Sequence, residues 1–305
     1  MTIKLTWRGD LTSPSGYSRA VRGHVRALLT VGADVIVENR SHDVTTVELD
    51  SYWTPKLQEF AARQHEHAMI KVWHETPDLW TPDPKNYNIG FTVWETSKVP
   101  DRDMGGNPRT NWVKQMNRMD EIWTSSEWCK SVFESSGITK PIFVFPHPVD
   151  LEAFSPGDPT AMKELAGSFF SSRDRLVFVS VFQWITRKNP TDLIVGFTSE
   201  FYDSPDVSLL VKTYGRSFDD NTQLIEVIKN IRSDMRMPTL VKNVYPIVNL
   251  VPETQLPSFY RSGSCYICVP YGEGFGMPFQ EAMASGIPCV YPEGGPMDEY
   301  IGEEY

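Results

Sequence analysis

Two glutamates eight residues apart, Glu273 and Glu281, stand in the stretch "EGFGMPFQEAMASGIPCV" with Gly274 and Gly276 between them. Paired carboxylates invite acid–base chemistry, yet their surroundings point to ligand binding. Upstream, "CYICVPY" reads as a buried strand, and Gly272, Gly274 and Gly276 follow in a loop whose backbone amides can approach a ligand closely. Pro278 suits the first turn of a short helix, which Gly286 and Pro288 bring to a stop. A helix amino end projecting from the carboxyl edge of a sheet is an anion site suited to a diphosphate. Glu281, about one turn into that helix, is able to accept hydrogen bonds from vicinal hydroxyls such as those of a ribose. Glu273 lies in the loop, nearer a reacting sugar. Taken singly, each glutamate is equally what a helix-dipole partner or a solvated loop carboxylate looks like.

A second cluster lies in "VSVFQWITRKNPTDLIVGF", where Arg187 and Lys188 occupy a loop between an apolar strand and a helix capped at Asn189. Fixed cations at the carboxyl end of a strand can neutralise a leaving diphosphate. A third, "WRGDLTSPSGYSRAVRGHVRALL", runs from a strand through a loop rich in glycine, serine and proline into a helix beginning near Gly16 or Tyr17. It carries neither G-x-G-x-x-G nor G-x-x-x-x-G-K-[ST], so neither a dinucleotide fingerprint nor a P-loop is supported. Arg19, Arg22 and Arg26 share one face of that helix. A solvated face is the favoured reading, ahead of contact with an anionic acceptor or a membrane surface. His74, ending a strand in "KVWHETP", and Glu95, after "IGFTVW", are further candidates for substrate contact or catalysis. The "CYIC" pair, Cys265 and Cys268, reads as core cysteines on a strand rather than a redox motif, and "DRD" at Asp101 to Asp103 reads as surface.

The elements that must position these residues alternate along the chain. Short β-rich runs (Ile3 to Trp7, Ala33 to Glu38, Ala68 to His74, Tyr87 to Glu95, Glu121 to Thr124, Pro141 to Phe145) are separated by helical stretches or loops. "LEAFSPGDPT" reads as a linker, after which a second series begins with "DRLVFVSVF", a helix opened by Asn189 and Pro190, "VSLLVKTYG", a polar helix from Asn221 to Met235, and "SCYICVP". Strand–helix alternation predicts parallel sheets with helices on both faces, in an α/β chain of two doubly wound halves, 1–150 and 151–305, across a cleft. Ligands of such sheets bind at the carboxyl ends of strands.

Composition agrees with a globular chain. Its 305 residues carry 39 acidic against 29 basic side chains, a net charge of -10, which disfavours a broadly cationic surface for nucleic acid or membrane. No apolar run approaches the roughly 20 residues of a membrane span, and "MTIKLTW" reads as a strand rather than a signal peptide, so a cytoplasmic location is expected. Four cysteines are too few for a disulfide scaffold. Eight of the nine tryptophans fall in the first half, most as core filler, with one or two available to line an acceptor pocket.

"YGEGFGMPFQEAMASGIPCV" closely resembles the E-x7-E signature of the retaining glycosyltransferases of the GT-B fold, family 4. "FQWITRKNPTDLIVGF" is similar to their phosphate-binding segment, and "DEIWTSSEWCKSVFESSGITKPIFVFPHPVDLEAFSP" to the stretch leading through their interdomain hinge. The resemblance covers most of the chain from Tyr87 onward and is weaker before it. It implies two Rossmann-like domains, an acceptor-binding one followed by a donor-binding one, and transfer of a sugar from a UDP- or GDP-type donor with retention, without an essential metal or a bound cofactor. Glu281 would hold the donor ribose and Glu273 would lie beside the donor sugar. Gly274, Phe275, Gly276 and Met277 would approach sugar or phosphate, as would Gly16 from the first domain. Lys188, and beside it Arg187, match the cationic segment.

Three departures stand out. Gln183 occupies the position, five before Lys188, where the family usually has an arginine. Trp94 and Glu95 stand where members often carry a histidine. The chain closes on "GGPMDEYIGEEY", where related enzymes usually continue through another strand and helices that return to the first domain. The acceptor is left open among carbohydrates, lipid-linked sugars, small metabolites, proteins and modified nucleic-acid bases, as is the oligomeric state. A glycosidase, a metal-dependent transferase and a non-catalytic nucleotide-sugar-binding module are the competing readings.

Overall fold

Valine-, isoleucine- and aromatic-rich runs bounded by turn residues form the strands, as their pleated, buried surfaces favour. The computed structural model describes residues 2–40, 49–63, 65–158, 176–215, 218–240, 243–248 and 252–302. Two compact units divide the chain: Met1–Pro148 with Glu273–Phe275, and Val149–Gly272 with Gly276–Tyr305. Each is an α/β unit built on a parallel sheet.

The first unit contains β1 (Lys4–Gly9), β2 (Asp34–Asn39), β3 (Ile70–His74), β4 (Tyr87–Phe91), β5 (Glu121–Thr124) and β6 (Ile142–Val144). They pair in the order β2-β1-β3-β4-β5-β6, all parallel where they meet. Every run expected from the sequence is a strand, although the fourth stops at Phe91 instead of Glu95. Helices α1 (Gly16–Thr30), α2 (Trp53–Ala62), α3 (Trp112–Met116) and α4 (Glu127–Ser135) lie between them in the chain. Apolar residues cover both faces of the sheet. On one, Val21 and Val25 of α1 and Trp53 and Phe60 of α2 pack with Trp7, Val72 and Phe91. On the other, Trp73, Trp80 and Ile122 pack with Met116, Cys129 and Phe133 of α3 and α4. Trp7, Trp53, Trp73 and Trp80 are all buried, which accounts for much of the tryptophan enrichment as core. The Trp80 ring packs against β4 at Gly90, where an added Cβ would collide with it.

The second unit contains β7 (Leu176–Gln183), β8 (Val207–Tyr214), β9 (Val244–Ile247), β10 (Cys265–Ile267) and β11 (Cys289–Val290), in the order β11-β10-β7-β8-β9 and again parallel. Its helices are α5 (Pro190–Phe201), α6 (Asn221–Asp234), α7 (Leu256–Arg261) and α8 (Met277–Ala284). β9 and β11 were not expected from the sequence. β11 has two residues, and β9 carries Pro246, tolerated because β9 is an edge strand that needs no donor on one side.

The stretch read as a linker is not a free tether over its described part. Phe154 is buried in the second core, and Arg261 donates from Nη1 to the carbonyls of Ala153 and Ser155 at 3.2 and 3.1 Å. Its last residues, Pro159 and Thr160, and the first two of the expected strand "DRLVFVSVF" lie outside the described residues. No helix of the described residues is long and apolar enough to cross a membrane.

Candidate functional site

In a doubly wound sheet the crevice for a ligand opens where strand order reverses, beyond the carboxyl ends of the two strands flanking the reversal. In the second sheet that point falls between β7 and β10, with β8 and β9 to one side and β11 to the other. The loop after β7 carries Arg187 and Lys188, and the loop after β10 carries Gly272 and leads into α8. Two motifs 85 residues apart in the chain thus meet at one sheet edge, where the Arg187 guanidinium Nη1 donates to the Gly272 carbonyl at 2.9 Å.

The β7 loop is shaped by Asn189. Its left-handed backbone (φ 53°, ψ 52°), which asparagine tolerates better than most residues, turns a short 3-10 segment, Thr186–Lys188, into α5. The Asn189 side chain caps α5 by accepting from the Asp192 amide, and its Nδ2 donates to the Val269 carbonyl at 3.0 Å in the β10 loop. The Tyr271 amide donates back to the Arg187 carbonyl at 2.8 Å. Arg187 and Lys188 are both half-buried.

Gly276 begins α8 with φ +84°, a conformation that favours glycine, and an added Cβ there would lie 3.0 Å from Phe279 Cδ2 and from Tyr300 Oη. No side chain caps this helix. Met277 thus begins a helix amino end of the kind that attracts negative charge. Glu281 is buried at 2% exposure and accepts at Oε2 from the equally buried Tyr260 hydroxyl at 2.8 Å. That bond fixes the carboxylate between α7 and α8, so it is held in place before any ligand arrives.

Glu273, Gly274 and Phe275 belong to the first unit. The Gly274 carbonyl accepts from Ser126 Oγ at 3.0 Å, the Cys129 thiol at 3.2 Å and Ser125 Oγ at 3.3 Å. A Cβ on Gly274 would stand 2.7 Å from Val93 Cβ and 3.1 Å from the Trp94 carbonyl, so this glycine is required by close packing. The Phe275 ring meets His147 edge-on at 5.1 Å between centroids. Glu273 is buried at 8% exposure. The serines and Cys129 sit at the start of α4, a set that sequence reasoning did not single out. They entered the sequence reading only as part of the stretch that resembles an interdomain hinge; Ser126 also caps α4 by accepting from the Cys129 amide.

The first sheet reverses between β1 and β3, where Gly9 pairs with His74. His74 is buried and stacks on Phe91 at 4.2 Å and 12°. Burial, with smaller contributions from His24 and His147, holds His74 well below the ordinary imidazole range and hence neutral. Its Nδ1 has no hydrogen-bond partner among the described residues. His24 Nε2 and His147 Nδ1 lie 3.1 Å apart; burial pushes His24 down to about 4 and His147 well below its usual value. His24 and His147 were not picked out from the sequence, because one sat within an arginine-rich helix and the other in a proline-flanked turn.

The β1–α1 loop fills itself. Asp10 accepts from the amides of Thr12 and Ser13 at 2.8 and 3.1 Å. Burial raises its pKa, but the Ser13, Thr12 and Ser18 bonds outweigh that and leave it below the ordinary carboxylate range. Gly16 opens α1, and a Cβ there would meet nothing within 4 Å. Glu95 is half-buried beyond β4, and its charge adds to the burial that raises the Tyr17 phenol, which lies 3.0 Å from Thr92 Oγ1.

The arginine stripe on α1 is not a solvated face, contrary to the expectation. Arg22 is buried and donates to the Leu11 carbonyl, and Arg26 stacks over the Tyr52 ring at 4.9 Å. In the "CYIC" stretch Cys268 is buried but Cys265 only half so, and neither is in a disulfide. Asp101 pairs with Lys98 at 2.7 Å and Asp103 with Lys114 at 3.0 Å on the surface.

Residues 240–305, which include the α8 region and Glu281, match the family described as Glycosyl transferases group 1. No curated protein matches the chain. Among solved structures it is similar to Anabaena HepE in complex with UDP and glucose (12% identity, 99% of this chain and 83% of that one, TM-score 0.66). It is also similar to sucrose-phosphate synthase from Thermosynechococcus elongatus (14% identity, 97% and 83%, TM-score 0.67). A third is an alpha,alpha-trehalose-phosphate synthase (UDP-forming) from Burkholderia vietnamiensis (14% identity, 99% and 85%, TM-score 0.61). At these identities the likeness is one of fold: the chain has two Rossmann-like domains like those of the GT-B glycosyltransferases.

Proposed function

We propose that the protein is a retaining, metal-independent glycosyltransferase, family 4-like, that moves a sugar from a nucleotide-diphosphate donor to an acceptor hydroxyl, in the cytoplasm. The observation that carries this reading is the convergence, at the reversal of the second sheet, of a cationic loop and an uncapped helix start, with a buried carboxylate on the same helix. The diphosphate rests on the amino end of α8 and on Lys188, with Gly276 and Met277 presenting backbone, and Glu281 accepts from the ribose hydroxyls. Glu273 borders the sugar. The first domain supplies acceptor contacts, for which His74, Glu95 and Gly16 are the candidates. UDP is the first donor nucleotide to test, since HepE is named in complex with UDP and the Burkholderia relative as UDP-forming.

As the bond between the anomeric carbon and the β-phosphate oxygen breaks, the acceptor oxygen bonds to that carbon on the same face. The acceptor proton passes to the departing phosphate oxygen, giving a glycoside and a nucleoside diphosphate. No strong protein base is required, because Lys188 and the helix amides stabilise the charge that grows on the leaving group. Gln183, the last residue of β7, supplies no cation there, which favours a donor-binding module without turnover as the second reading. A nucleotide-release assay across UDP, GDP, ADP and TDP sugars tests both. Release that is lost in Lys188→Ala and weakened in Glu281→Ala supports transfer; tight donor binding without release across many acceptors supports the module; wild-type behaviour of both variants sinks the site.

A further inference from the structure

We infer that Arg187 is a positioning residue: it clasps the β7 loop to the β10 loop and so sets the backbone that enters Glu273, while the cationic work on phosphate falls to Lys188. This rests on the proposed donor site and reassigns one residue within it. Loops leaving the two strands at a reversal normally part, since their helices run to opposite faces of the sheet. Here hydrogen bonds cross the gap. Asn189 Nδ2 donates to the Val269 carbonyl at 3.0 Å, the Tyr271 amide to the Arg187 carbonyl at 2.8 Å, and Arg187 Nη1 to the Gly272 carbonyl at 2.9 Å.

Arg187 takes part in two of these, accepting through its backbone and donating through its guanidinium, so that it holds two consecutive residues of the other loop. The residues it holds, Tyr271 and Gly272, immediately precede Glu273. Gly272 has no side chain to restrict its backbone, and the Tyr271 ring is 68% exposed, its hydroxyl reaching Asp192 Oδ2 only at 3.5 Å. The ties to Arg187 therefore contribute to the order of these two residues. A guanidinium aimed at a carbonyl uses its fork for geometry. Lys188, the neighbouring cation, is a compact charge better suited to a phosphate oxygen.

The test combines amide hydrogen exchange of the ligand-free protein with binding of UDP and of the preferred nucleotide sugar. It compares the wild type with Arg187→Met, which keeps side-chain length, with Arg187→Ala, and with Lys188→Ala. Loss of a charge-assisted bond is expected to speed exchange across 270–276 by roughly 10- to 100-fold in both Arg187 variants, well beyond any change in Lys188→Ala. In the Arg187 variants the extra affinity for the sugar-bearing donor over UDP falls about tenfold, whereas Lys188→Ala weakens both ligands together. Unchanged exchange in both Arg187 variants overturns the clasp. So does a loss of UDP affinity in them equal to that of Lys188→Ala with no separate loss for the sugar. If the wild type binds no nucleotide while the Arg187 variants still loosen 270–276, the clasp stands and the donor-site reading fails.

Discussion

The two sheets reverse strand order in the same way but furnish the reversal with opposite chemistry. Between β1 and β3 of the first sheet, the loop that leads into α1 brings its own carboxylate, Asp10, and the neighbouring imidazoles are buried and neutral. Between β7 and β10 of the second, the helix start has no side-chain cap and the adjoining loop carries Arg187 and Lys188. A helix amino end attracts one anion. At α1 the chain meets this need itself: Ser15 caps the helix by accepting from the Ser18 amide and Asp10 accepts from amides of the preceding loop, so a diphosphate has less to gain. On the proposed reading, the second reversal takes the diphosphate and the first takes uncharged hydroxyl-bearing groups.

The largest expected effect breaks this contrast at its cation. Lys188→Ala is expected to lower turnover by roughly 10²- to 10³-fold in the nucleotide-release assay, the usual worth of one group aimed at developing charge. Retention of wild-type turnover would remove the distinction between the two reversals.

Next in size is a pH effect confined to the first unit. The folded-state pKa values of His24, His74 and His147 are lowered, so the unfolded chain binds more protons between about 6.5 and 4, and stability falls as pH drops through that window. For His24, held at about 4, the loss reaches about 3 kcal/mol near pH 4. Thermal unfolding of His24→Phe should show a shallower decline between pH 6.5 and 4 than the wild type. An identical decline would mean that these rings are solvated in solution.

Glu281→Ala should weaken nucleotide-sugar binding by roughly 10- to 100-fold. It should also destabilise the second unit by about 1–3 kcal/mol, because it leaves the Tyr260 hydroxyl buried without its acceptor. Calorimetric titration and thermal unfolding of this variant and of Tyr260→Phe separate the two consequences.

The smallest effect compares two helix starts. Gly276→Ala is strained at φ +84° and is expected to cost about 1–2 kcal/mol, whereas Gly16→Ala enters open space and should change the melting temperature little. Equal shifts would show that glycine at 276 is not required by its backbone.

The elements around the candidate site of the second unit were legible because their signals are local. Glycines, a proline and a glutamate in fixed order specify a strand, a tight loop and a helix start, and Asn189 with Pro190 specifies another. The same locality hid other features. β11, with two residues, is too short to leave a periodic signal, and β9 contains a proline that argues against a strand unless its edge position is known. The arginines of α1 share a face by spacing alone, but whether Leu11 and Tyr52 meet that face depends on loops and helices distant in sequence.

By itself the sequence determined the α/β class, the alternation of strands and helices, and the backbone chemistry of the helix starts, because periodicity and the φ restrictions of glycine, asparagine and proline act over a few residues. Only the tertiary structure decided that Arg187 meets Gly272, that Tyr260 holds Glu281, that three donors meet at the Gly274 carbonyl, and that Asp10 occupies the loop leading into α1. Most of these contacts join residues far apart in the chain. Strand order, which no local pattern encodes, brings the two motifs of the second site to one sheet edge.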